Sequence, residues 1–203
     1  MKQALIIFAK NEVYGKVKTR LAATTGHQVA MCVYQELLQH TCNVSKDLLI
    51  NKTVFYSDSV VYADRWSNDI FQKKVQYGGG LGTRMQKAFE EVFARGMEQV
   101  VIIGTDCLEL NPAIIMQAFE QLRLHDVVIG PAKDGGYYLL GMRRYNSTLF
   151  SDIKWSTDLV LSQTLDLCRE QNLSVFQLEV LSDIDTEEDW KNAAKYHKRV
   201  AHD

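Results

Sequence analysis

The sequence predicts an α/β protein, a three-layer αβα sandwich with a mostly parallel sheet, helices on both faces and one antiparallel strand. Three observations predict it. Short apolar runs of strand length alternate with amphipathic segments at helical spacing. The first run, Gln3–Ala9, is almost continuously apolar, as in a strand buried on both faces. The run Tyr137–Gly141 follows Asp126–Ile129 with no helical segment between them, which fits an antiparallel neighbour.

After Gln3–Ala9, the stretch Gly26–Cys42 carries Val29, Met31, Val33, Leu37 and Leu38 in a helical stripe. Thr53–Tyr56 reads as a second strand and Lys73–Tyr77 as a third, ahead of the glycine cluster Gly78–Gly80. Arg84–Ala94 is an amphipathic helix ended by Gly96. Gln99–Ile103, with four consecutive β-branched residues, is the clearest strand. Asn111 and Pro112 form an N-cap and first helical residue, for a helix running to about Leu124. Ser156–Glu170 reads as helix and Ser174–Leu178 as strand. Asp185 with Glu188 makes a capping-box pattern for a last helix through Tyr196.

The chain has 203 residues, 46% apolar and 24% charged. That suits one domain over residues 1–203, large enough to fold without disulfide or metal. A net charge of −2 gives no basic surface for nucleic acid or an anionic membrane, so any basic site must be local. Four cysteines show no C-x-x-C and no zinc-ligand spacing; Cys32, Cys42 and Cys168 are expected as reduced core residues. The N-terminus runs straight into a strand, with no signal peptide and no apolar stretch of membrane-spanning length, so a soluble cytoplasmic protein without membrane insertion is expected. Only two prolines occur, and neither a repeat nor a linker divides the chain.

In sheets of this kind ligands bind outside the carboxyl ends of the strands. The loops there run from Lys10 to Arg20, through Gly78–Arg84, through Gly104-Thr105-Asp106 and through Gly130–Gly136, each joining glycine to charge. In the first, Gly15 permits a tight turn, and Lys18 and Arg20 could reach phosphate oxygens; a solvated basic loop is the plainer reading. The second is neither a dinucleotide fingerprint, since Thr83 stands where glycine is needed, nor a P-loop. It is a flexible turn feeding a helix N-terminus, with Arg84 in the first turn, where an anion would offset its charge. Asp106, just past the clearest strand, could hold Mg²⁺ or cap a turn. Asp134, between Lys133 and two glycines, reads as a hairpin turn or as a second carboxylate facing Asp106. Asp183 and Asp185 read as helix caps, and Trp155-Ser156-Thr157 either lines a pocket or opens a helix. The histidines stand in no H-E-x-x-H or triad context. Together the loops offer cations, two carboxylates and glycine-rich backbone at one sheet edge, which is what a nucleotide's phosphates and a divalent metal require.

Four segments in order, "IIFAKNEVYGKVKTRL", "GGGLGTRMQKAF", "VIIGTDCLELN" and "GPAKDGGYYLLGM", with "DIDTEEDW" near the end, resemble the small bacterial nucleotide-diphospho-sugar transferases, often labelled glycosyltransferase-like. That group is similar to molybdenum-cofactor nucleotidyltransferases and phospholactate guanylyltransferases. The resemblance implies a GT-A-type, Rossmann-like fold and a transferase dependent on Mg²⁺ or Mn²⁺. It implies a nucleotide or nucleotide-sugar donor and a small-molecule acceptor. Lys18 and Arg20 match the cations at the phosphates, Gly82, Arg84 and Met85 the second nucleotide loop, and Asp106 the metal-binding carboxylate. With the strand-end residues Ala9, Lys10 and Thr105, these make the expected nucleotide-binding set. Asp134, Gly135 and Gly136 match the acceptor-side motif, which Trp155 and Ser156 would extend. Catalysis would rest on Lys18, Asp106 and Asp134, and the metal on Asp106 and Asp134. The chain departs from the pattern in three places: Asn11-Glu12-Val13 replaces a proline in the first loop, Cys107-Leu108 replaces one after the metal aspartate, and Thr105-Asp106-Cys107 has one carboxylate in place of a D-x-D pair.

Overall fold

The computed structural model describes residues 1–200, with side chains as far as Ala193. Seven strands form one sheet: β1 (Gln3–Ala9), β2 (Asn51–Tyr56), β3 (Gln72–Val75), β4 (Gln99–Ile103), β5 (Val127–Pro131), β6 (Tyr137–Met142) and β7 (Val175–Gln177). Their order is β3-β2-β1-β4-β6-β5-β7. All neighbours pair in parallel except β6, which runs antiparallel between β4 and β5. The antiparallel strand predicted at Tyr137 is therefore present, and the tight turn after β5 explains it. Ala132 N–H donates to the Gly136 carbonyl at 3.0 Å, which returns the chain at once without a crossover helix.

Helices cover both faces. α2 (His27–Lys46) and α4 (Pro112–Gln121) pack on one, against Leu5, Ile7, Val54, Val101 and Val128. α3 (Leu81–Ala94) and α5 (Val160–Glu170) pack on the other, against Ala4, Ile6, Phe55, Ile102 and Leu140. The odd and even residues of β1 thus enter different cores, which is why its sequence is apolar without alternation. A third cluster joins α1 (Thr19–Thr25) and α2 to Leu108, Ile184 and the start of α6 (Glu187–Val200). Asn111 caps α4 as predicted, its side chain accepting from the Ile114 N–H at 3.1 Å.

Several expectations are corrected. Val29 and Cys32 are exposed; the buried stripe of α2 runs through Ala30, Val33, Tyr34, Leu37, Leu38, Thr41 and Cys42. α5 begins at Val160 and not at Ser156, because Ser156 has φ 64°, a left-handed conformation that cannot continue a right-handed helix. The capping box of α6 is Thr186 with Asp189, one residue beyond the pair read from sequence. Asp189 accepts from the Thr186 N–H at 2.8 Å, and Thr186 Oγ1 accepts from the Asp189 N–H at 3.2 Å. That shift leaves Asp185 free to turn elsewhere.

Candidate functional site

A cleft of about 890 Å³ opens along the carboxyl ends of β1, β2 and β4. Its floor is the end of β1. There Tyr34, buried on α2, donates its hydroxyl to the Lys10 carbonyl at 2.9 Å and accepts from the Lys10 N–H at 2.8 Å. Burial holds its phenol well above the usual tyrosine range, so it stays a neutral donor and acceptor. Asn11, the first of the three residues that stand in place of the family's proline, ties the next residues down. Its side-chain oxygen accepts from the Asp58 N–H at 2.9 Å, and its amide donates to the Ser59 carbonyl at 2.8 Å. The loop is thus held by side-chain hydrogen bonds in place of a fixed φ.

The chain then turns back through Gly15 (φ 77°) to Lys18, which itself adopts φ 46° just before α1. This left-handed backbone sends the Lys18 side chain inward, where it is only 5% exposed. Its ammonium stands 2.7 Å from Asp106 Oδ1 and 3.1 Å from Asp185 Oδ1. Burial would depress the lysine, but the two carboxylates outweigh it and hold its pKa above the ordinary value. Arg20 is largely exposed and lies 3.5 Å from Asp185 Oδ2. Thr105, next to Asp106 in the chain, is buried.

Asp183 lines the same cleft. Burial, then the charges of Asp106 and Asp134, push its carboxyl up to about 7, against the pull of Lys18. Asp183 and Asp185 are therefore site residues that sequence reasoning took for caps. Their only sequence signal was two acidic residues just past a predicted strand. Asp134 takes its hairpin role: Oδ1 accepts from the Gly136 N–H at 2.9 Å, while the residue still lines the cleft. Gly135 adopts φ 88° behind it.

Arg84 folds back over the glycine turn, Nε donating to the Gly79 carbonyl at 2.8 Å and a terminal nitrogen reaching Gln76 Oε1 at 3.4 Å. Of the fourteen residues expected at the site, the cleft gathers Ala9, Lys10, Lys18, Arg20, Arg84, Met85, Thr105, Asp106, Asp134, Gly136, Trp155 and Ser156. Gly82 and Gly135 stand behind the lining, where they permit close packing. A Cβ on Gly82 would lie 2.2 Å from Trp155 Nε1, and one on Gly135 would lie 2.2 Å from the Asp158 carbonyl oxygen. Trp155 is further held by Phe150, stacked at 6.4 Å, and by Tyr137, edge-on at 6.5 Å.

The two carboxylates expected at the metal, Asp106 and Asp134, both line the cleft, together with Asp183 and Asp185, and oxygen is the donor a hard divalent cation takes. Asp106, Asp183 and Asp185 offer only oxygen, and the Lys18 ammonium already sits against two of them as a positive charge would. Among the described residues no three His, Cys, Asp or Glu side chains could hold a metal ion by themselves. Phosphate oxygens would have to complete the shell, the usual arrangement for Mg²⁺ on a nucleotide.

Residues 39–157 match the model of a family described as uncharacterized protein conserved in bacteria (DUF2064). No curated protein matches the chain. Among solved structures, a protein from Desulfovibrio desulfuricans provisionally named a nucleotide-diphospho-sugar transferase is 30% identical, with a TM-score of 0.85 over 92% of this chain and 84% of that one. The 4-diphosphocytidyl-2C-methyl-D-erythritol synthase of Anaerococcus prevotii is 13% identical, with a TM-score of 0.63 over 97% and 96%. Rv0371c of Mycobacterium tuberculosis, solved in complex with manganese, is 13% identical, with a TM-score of 0.56 over 95% and 97%. The fold is that of the nucleotidyltransferases and GT-A-like transferases, as the resemblance implied.

Proposed function

The chain belongs to the bacterial family DUF2064, and from that premise we propose that it is a transferase taking a nucleotide-sugar donor with Mg²⁺ or Mn²⁺ in the cleft at the carboxyl edge of its sheet. One observation carries the reading: Lys18 meets Asp106 and Asp185 inside a cleft that Arg20, Asp134 and Asp183 also line. Cations for phosphates and oxygens for a metal thus share one cleft. The name given to the Desulfovibrio relative supports the donor class, and the manganese complex of the mycobacterial fold relative supports the choice of metals.

Each residue then has a task. Lys18 and Asp106 hold each other's charge until the donor enters. The ammonium then turns to the diphosphate, and Asp106, with Asp183 and Asp185 beside it, would be the residues to hold the cation. A bound Mg²⁺ or Mn²⁺ would neutralise charge on the leaving phosphate. Arg20, exposed at the rim, meets the outer phosphate oxygens. The backbone at Ala9 and Lys10, pinned by Tyr34 and Asn11, offers a rigid edge to the nucleoside. Asp134 accepts the proton of the acceptor hydroxyl; that oxygen bonds to the sugar carbon, and the bond from this carbon to the nucleoside diphosphate breaks. Residues 1–203 act in this reading as a single unit, since the loops and helices that line the cleft all flank one sheet. The buried free thiols Cys42, Cys107 and Cys168 accord with the reducing cytoplasm; among the described residues no helix is long and apolar enough to cross a membrane.

A second reading, nucleotidyl transfer from a nucleoside triphosphate, uses the same residues, and the fold shared with the diphosphocytidyl synthase favours it. The products separate the two. With nucleotide sugars or nucleoside triphosphates, an acceptor mixture and Mg²⁺, release of nucleoside diphosphate marks glycosyl transfer, and release of pyrophosphate marks nucleotidyl transfer. Nucleotide binding that yields neither product under any metal would instead make the protein a nucleotide-binding module.

A further inference from the structure

The connection from β1 to α1 runs from Lys10 to Lys18 as irregular chain and lines the cleft with Lys10, Asn11, Val13, Lys16 and Lys18. Its shape therefore decides where those cations stand. The far end is fixed inside the cleft, by Lys18 on Asp106 and Asp185. The near end is fixed from behind. Tyr34 takes both backbone groups of Lys10, and Asn11 takes Asp58 and Ser59. Glu12 is then held twice. Its Oε1 accepts from Arg65 Nη2 at 2.6 Å, and its Oε2 accepts from Gln35 Nε2 at 2.9 Å. Arg65 Nη1 donates to the Gln35 carbonyl at 2.6 Å, and the Arg65 carbonyl accepts from the Cys42 thiol at 3.2 Å. Glu12, Gln35 and Arg65 thus close a ring between the first loop, α2 and the connection from β2 to β3. Trp66, next to Arg65, is fully buried and meets Phe71 edge-on at 5.1 Å, so the arginine is presented by a fixed segment. Glu12 and Arg65 themselves stand outside the cleft lining.

We propose that Arg65 is a positioning residue for the nucleotide, acting through Glu12 to hold the β1–α1 connection in its binding shape; the inference rests on the reading of this cleft as a nucleotide site. Irregular chain loses conformational freedom when a ligand orders it, and that cost is subtracted from affinity. Here Asn11-Glu12-Val13 offers no proline to restrict the backbone. The restriction comes from across the fold, so the loop is ordered before the nucleotide arrives. Arginine suits the task because its planar fork reaches Glu12 and the Gln35 carbonyl at once. The side chains of Arg65 and Glu12 are 16% and 30% exposed, so water and salt screen this pair less than a pair on the open surface.

Thermal shift with nucleoside triphosphates and nucleotide sugars, each with Mg²⁺, first identifies the nucleotide bound. Absence of any nucleotide-dependent shift would remove the nucleotide reading, and this inference with it. Affinity for that nucleotide is then measured by isothermal titration, well below the melting temperature of every variant. Arg65→Met and Glu12→Gln are each expected to bind about tenfold more weakly than wild type. The double variant should bind no more weakly than either, because both substitutions cut the same link. Arg65→Lys, which keeps a cation opposite Glu12, should recover a clear part of the loss. Glu12→Gln is nearly isosteric and opens no space, so it tests the link even if Arg65→Met fails to fold. A group that merely holds the fold together lowers the melting temperature and leaves the affinity of the folded protein unchanged; that outcome would overturn the proposal. So would losses that add in the double variant, or an Arg65→Lys variant no better than Arg65→Met.

Discussion

Lys18 concentrates the physics of the site in one residue. A lysine at φ 46° costs on the order of 1 kcal/mol or more of backbone strain, and the position keeps it because the strained turn delivers a buried ammonium to Asp106 and Asp185. Both carboxylates are about two-fifths exposed, so the apo ion pair contributes only about 1 kcal/mol. Its value lies in what it does when phosphates arrive. Lys18→Met should therefore change the melting temperature little, yet weaken donor binding about 10- to 100-fold by isothermal titration. Affinity equal to wild type would remove Lys18 from the phosphate site. Asp106→Asn keeps the shape and loses the charge; nucleotide binding by this variant should no longer respond to Mg²⁺ or Mn²⁺. A surviving metal response would assign the cation to other residues.

At the scale of elements, α3 and the segment before α5 are locked together where Gly82 lets the Trp155 indole sit against helix backbone. Gly82→Ala would place a methyl 2.2 Å from Nε1, and the ring or the helix must move. A loss of about 1–3 kcal/mol in urea unfolding is expected. The same substitution in a Trp155→Ala background should cost much less, and equal costs in the two backgrounds would show that the contact is not the cause. The far end of the sheet has its own clasp. Asp126, ahead of β5, accepts from the Ser174 Oγ at 2.6 Å and N–H at 2.9 Å, and from Arg143 Nε at 2.9 Å. The Ser174 hydrogen bonds first, then Arg143, hold its carboxyl below the usual value of 3.8. Its folded pKa lies below its unfolded one, so its stabilisation is complete above about pH 4 and is lost as pH falls through the folded value. Asp126→Asn should thus cost about 1–2 kcal/mol at pH 7, a gap that closes toward pH 3. A gap independent of pH would contradict the assignment.

At the scale of the whole molecule, local sequence carried the architecture. β1 and β4 were legible because burial on both faces demands unbroken apolar residues, and the β5–β6 reversal was legible because Asp134-Gly135-Gly136 leaves no room for a crossover. α1 was missed because only Leu21 and Ala22 of its seven residues are buried, too few to show a period. The basic loop, Asp106 and Asp134 were visible as charges at strand ends. Asp183 and Asp185 were not, because the bond from Lys18 to Asp185 spans 167 residues and no local pattern encodes it. Gly82 was expected at the nucleotide from the resemblance alone, and its packing against the Trp155 indole was not legible because that contact spans 73 residues. The central claim is that this cleft binds a nucleotide through a divalent metal. The most direct measurement is a thermal-shift panel of nucleoside triphosphates and nucleotide sugars, each with and without Mg²⁺ or Mn²⁺. A ligand that binds only the folded state raises the apparent melting temperature by mass action. A shift is expected for one nucleotide class that requires the metal and disappears in Asp106→Asn; no shift with any nucleotide, or one indifferent to metal, would show that the cleft does not bind a nucleotide in this way.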